Sequence, residues 1–137
     1  MIRFAQIGMI LIFVLSIVFH LLVLTGVIPF EIVWGGRLKS EAQMLPFELV
    51  SIGINLIFLF FILAGAGYVR LKISGRFLRF VFWIMFALFL LNTLGNLLSD
   101  NNLERIIFTP VTAILSVFSF ILARKSIGSV NTQSNPD

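Results

Sequence analysis

"IGMILIFVLSIVFHLLVLTGVI", Ile7–Ile28, contains no acid, no Lys or Arg, and one histidine. At 1.5 Å per residue a helix of this length crosses the ~30 Å of hydrocarbon in a bilayer. Its apolar core exceeds the roughly 7–15 residues of a signal-peptide core, and no small-x-small cleavage site follows. The stretch is therefore expected to be a retained membrane span. Three further runs are apolar and long enough to span: Phe47–Tyr68 with Glu48 near its start, Phe77–Leu98 with Arg79 near its start and, at the short end, Ile106–Ala123. In lipid each must satisfy its own backbone, which a helix does. The expectation is an all-α, integral membrane four-helix bundle over residues 1–125, antiparallel and up-down-up-down. A short structured outer loop should join the first two helices. Residues 126–137, rich in Ser, Asn, Gln and Pro, are expected to be a disordered cytoplasmic tail.

Composition supports this class. Of 137 residues, 59% are hydrophobic and 12% charged, about half the charge of a soluble domain. Cysteine is absent, which excludes disulfides, thiolate catalysis and Cys-based metal sites, and a single His excludes a multi-His site within one chain. No cofactor or metal is expected. The net charge of +4 sits beside apolar runs rather than on an aromatic-interleaved surface. It reads as membrane-flanking charge, with no nucleic-acid partner.

The bases set an orientation. Arg3, Arg70, Lys72, Arg76, Arg79, Arg124 and Lys125 fall on one side, against Arg37, Lys39 and Arg105 on the other. Lys and Arg accumulate on the cytoplasmic side, so a multi-pass cell-membrane protein with both termini cytoplasmic is expected. The four bases of the middle loop set topology, with anionic headgroups as a second use. Glu31, Glu41, Glu48, Asp100 and Glu104 then all lie outside. Either they are solvated loops, or the outer face is the working face.

Polar groups inside lipid are costly and face the bundle interior. His20, Asn55, Asn92 and Thr112 are one on each span. All four fall roughly 9–12 Å below the outer surface at 1.5 Å per residue. Glu48, Ser51 and Asn55 share one helical face, as do Asn92, Asn96 and Ser99, and Ser16 with His20. Thr109, Thr112, Ser116 and Ser119 form a stripe on the last span. The candidate ligand-binding set is His20, Glu48, Ser51, Asn55, Asn92, Asn96 and Thr112. The plainer reading is packing: small residues let helices approach, Asn55 and Asn92 bond each other, and Glu48 suits a helix N-terminus just after Pro46.

Above this half lies "IPFEIVWGGRLKSEAQMLPFE", Ile28–Glu48. Its Gly-Gly centre suits a tight hairpin that would set Trp34 opposite Arg37 in a cation–π contact. Ser40 and Gln43 have capping-box spacing for a helix start, with Pro46 restarting the chain as the second span. Phe30, Trp34 and Phe47 suit an interfacial anchor. The sharper reading makes Glu31, Trp34 and Arg37 a lid, with Glu31 and Arg37 pairing with Arg105, Asp100 or Glu104 of the second outer loop.

No phosphate loop, HExxH or nucleophile elbow occurs. In helix count and a few polar residues the layout resembles small four-helix membrane isomerases and sterol-binding proteins of the emopamil-binding type. It also resembles the four-helix glutathione- and eicosanoid-metabolising membrane enzymes. No shared motif runs along the chain, so no residue roles carry over. Three classes stay open. One is a binding protein for a lipid or small amphiphile. Another is an accessory or structural subunit packed on a membrane-protein partner or on its own copy. The third is an enzyme or proton-coupled transporter using His20 and Glu48. The first, non-enzymatic, is the reading taken forward.

Overall fold

The computed structural model describes residues 1–34 and 38–125. Four long helices run antiparallel: α1 Ile2–Leu24, α2 Glu41–Gly65, α3 Gly75–Leu97 and α4 Thr109–Lys125. A 3-10 turn at Phe30–Ile32 lies between α1 and α2, and a π turn at Glu104–Phe108 leads into α4. Each of the four is long and apolar enough to cross a membrane. Their outward faces are apolar, with Leu11, Leu15, Val50, Ile57, Leu91 and Val117 exposed. The chain is a small membrane protein built as a bundle.

The helix ends follow local chemistry. α1 stops at Leu24, short of Ile28, because Gly26 takes φ +76° and the Thr25 hydroxyl turns back to the Leu21 carbonyl at 2.9 Å. α2 starts at Glu41, ahead of Phe47. Ser40 Oγ accepts from the Gln43 N–H at 3.3 Å, and Gln43 Oε1 accepts from the Lys39 N–H at 3.0 Å. Ser40 thus caps the spanning helix itself, with Gln43 reaching back to Lys39 and not to the Ser40 N–H of the expected capping box, and Pro46 lies inside α2 instead of restarting it. Ser74 caps α3 through the Phe77 N–H at 3.2 Å. Before α4, Pro110 cannot donate to the Ile106 carbonyl and its ring crowds that group. The preceding turn is correspondingly widened to π.

Two helical hairpins, α1–α2 and α3–α4, meet mainly through α1 and α4, with α2 and α3 touching less. The main core fills the end of the bundle that carries the chain termini. There Ala5, Met9, Phe13, Ile62, Phe82 and Met85 are buried. Close approach is built in: a Cβ on Gly8 would stand 2.5 Å from the Phe118 ring, and one on Gly65 3.1 Å from Phe82. A second, smaller cluster, Val23, Val33, Leu38 and Met44, lies under the α1–α2 loop at the opposite end, the loop end. The polar residues lie between these two apolar layers. The two connections at the loop end are tied together, since the Asn101 side-chain amide donates to the Ile32 carbonyl at 3.0 Å.

Candidate functional site

His20 sits in the last turns of α1 and Glu48 in the early turns of α2. Their side chains meet at 2.7 Å, His20 Nδ1 to Glu48 Oε2. The second carboxyl oxygen accepts from the Trp34 indole N–H at 2.9 Å. Glu48 is fully buried, so both oxygens have exchanged water for a protein partner. Trp34 has φ +57°, a left-handed conformation that a bulky side chain adopts only at a cost. The indole N–H bond and an edge contact with Phe47, centroids 5.0 Å apart, hold it there. Phe47 and Glu48 are sequence neighbours on α2, so one short segment receives both the ring and the N–H of the indole.

His20 and Trp34 line a cavity of about 240 Å³. Phe89, which also lines it, is one corner of an aromatic triangle. Phe13 lies 6.1 Å from Phe58 and 5.8 Å from Phe89, and Phe58 lies 5.9 Å from Phe89. Val33 and Trp34 lie over it. The polar wall is His20 and Ser16 from α1, Asn55 from α2, Asn92 and Asn96 from α3, and Thr112 from α4. The Thr112 hydroxyl donates to the Phe108 carbonyl at 2.8 Å and accepts from Asn96 Nδ2 at 3.4 Å. Thr93 Oγ1 stands 3.0 Å from it. Asn55 Nδ2 donates to the Ser51 carbonyl at 2.8 Å, which leaves its Oδ1 and one N–H for the cavity. With Nδ1 directed at Glu48, His20 keeps Nε2, a donor or acceptor according to tautomer. The wall therefore offers several donors and acceptors, with His20 the one titratable side chain among its described residues.

Of the residues singled out from sequence, the structure brings His20, Asn55, Asn92, Asn96 and Thr112 to one cavity, and Glu48 to His20 beside it. Ser51 does not line it and contributes its backbone carbonyl only. Asn55 and Asn92 do not bond each other among the described residues. Glu48 is not at a helix N-terminus, because α2 begins at Glu41, which takes the first-turn position. Among the described residues no ion pair joins Glu31 to Arg105; the Asn101–Ile32 bond links the two loops instead, and the expected pairing of Arg37 with Asp100 or Glu104 involves a residue outside those described. The expected contact between Trp34 and Arg37 involves Arg37, which lies outside the described residues, as does the tail 126–137. On α4, Ser119 is fully buried and donates to the Leu115 carbonyl at 2.7 Å, and Ser116 reaches the Phe86 carbonyl at 3.4 Å. Both are packing residues.

Sequence reasoning missed two elements of the site. It did not pair Trp34 with Glu48, and it passed over Thr93. An indole N–H can only donate, so a Trp facing an acid at the start of a span was the available signal. No group of three His, Asp or Glu among the described residues is placed to hold a metal ion. No known protein family, curated protein or solved structure gives a significant match to this chain.

Proposed function

We propose that this membrane protein binds a lipid or small amphiphile in the cavity at its loop end, without catalysing a reaction. By the Lys and Arg asymmetry of the sequence, that end faces outward. The observation that carries the reading is the cavity itself, bounded by His20, Asn55, Asn92, Asn96 and Thr112 between two apolar layers. Helix packing alone calls for polar groups that satisfy one another. Here Asn55 and His20 each turn one bond to the protein and leave others for the cavity. Concave sites with a few convergent polar groups on a mainly apolar wall are the usual form of small-molecule sites.

Trp34 reports on occupancy. In a Trp83→Phe background it is the sole indole, and a brominated long-chain alcohol quenches it on contact. Saturable quenching at low mole fraction, lost in Asn55→Leu/Asn92→Leu, is the expected result. Quenching that rises linearly with mole fraction and is equal in the variant would mean the alcohol reaches Trp34 only as bulk solvent. The accessory-subunit reading would then take over.

A further inference from the structure

We propose that the ligand is a single-chain amphiphile with a neutral hydrogen-bonding head, and that its alkyl tail leaves the cavity between α1 and α4. This rests on the binding reading above and adds the ligand class and the route. Ligand pockets for whole small molecules measure about 300–1,000 Å³, and the polar cavity, at about 240 Å³, falls below that range. It holds a head group, not a whole lipid. Among the described residues no Lys or Arg lines it, and His20 turns Nδ1 to an acid. A phosphate would lack the cationic forks it is usually met with. Hydroxyls or an amide match the Asn, Thr and imidazole groups that are present.

A second hollow of about 200 Å³ runs along the bundle surface between α1 and the start of α4. Ile12, Leu15 and Ile107 line it, and it shares Ser16, Phe19, Phe108 and Val111 with the polar cavity. The two spaces are therefore neighbours with a common wall, one polar and one apolar. Phe19 and Phe108 stand edge to face at 5.5 Å where they meet. The π turn sets Ile107 and Phe108 at that junction; such turns recur at functional sites. From Phe19 to Ile12 the groove follows α1 for about 10 Å at 1.5 Å per residue, room for a medium alkyl segment. The α2–α3 side is a poor exit for a tail, because the exposed Asn92 and the half-buried Asn55 border it.

The test is photolabelling of the full chain in lipid nanodiscs with a monoacylglycerol bearing a mid-chain diazirine. Adducts are mapped by peptide mass spectrometry. The expected result is labelling at Ile12, Leu15 and Ile107 that unlabelled monoacylglycerol competes away and hexadecyl phosphate does not. Leu15 and Ile107 are exposed at 67% and 48%, so Leu15→Trp and Ile107→Trp fill the groove without crowding a core. Each should cut the competed labelling roughly tenfold, equivalent to ~1.4 kcal/mol of steric conflict. Competed labelling on α2 and α3 would keep the cavity ligand and overturn the route. Competition by hexadecyl phosphate equal to that by monoacylglycerol would overturn the neutral head. Labelling all round the bundle, uncompeted, would overturn this inference and the binding reading together.

Discussion

Glu48 is a carboxyl with no exposed surface inside an apolar bundle, which is costly to bury. Removing one partner of such a buried pair typically costs about 3–5 kcal/mol, while replacing both with apolar side chains is often close to neutral. His20→Leu and Glu48→Leu should therefore each lower the melting temperature in detergent, and the double variant should recover much of the loss. Additive losses would mean that the 2.7 Å contact contributes nothing to stability. This contact was half legible in the sequence. His20 and Glu48 were both drawn to the loop end by span position and helical face. Trp34 was placed above them as a lid candidate, but its bond to Glu48 was not foreseen, because that bond depends on a left-handed backbone at a bulky residue, which no pattern of residue types announces.

The helices were the most legible elements, since lipid leaves an apolar run few alternatives. Their ends were less so. The cap at Ser40 was visible, yet Pro46 read as a start when it lies inside α2. The π turn before α4 was not visible at all, because it follows from a local clash rather than from periodicity. Close packing at the terminal end gives an element-scale prediction. Gly8→Ala places a methyl 2.5 Å from Phe118, so α1 and α4 must separate or the ring must shift, at about 1–3 kcal/mol. Phe118→Leu, added to Gly8→Ala, should restore most of the lost thermal stability. If Gly8→Ala alone is as stable as wild type, that helix pair packs more loosely than this geometry requires.

Across the whole molecule, polarity is layered: an apolar core at the terminal end, a polar layer, then a small apolar cluster under the loops. The common depth of His20, Asn55, Asn92 and Thr112 made this layer readable from residue order alone, because a helix converts sequence position into height. Whether the layer holds a cavity was not readable. That depends on how the two hairpins meet, which is a property of the assembled bundle. The central claim is that this cavity takes a ligand. It is tested most directly by native mass spectrometry of the protein from mild detergent, beside a His20→Leu/Asn55→Leu variant. A bound small mass on the wild type that the variant loses is the predicted result. A wild type that carries no such mass, with a variant of unchanged stability or a protein that copurifies, would contradict it.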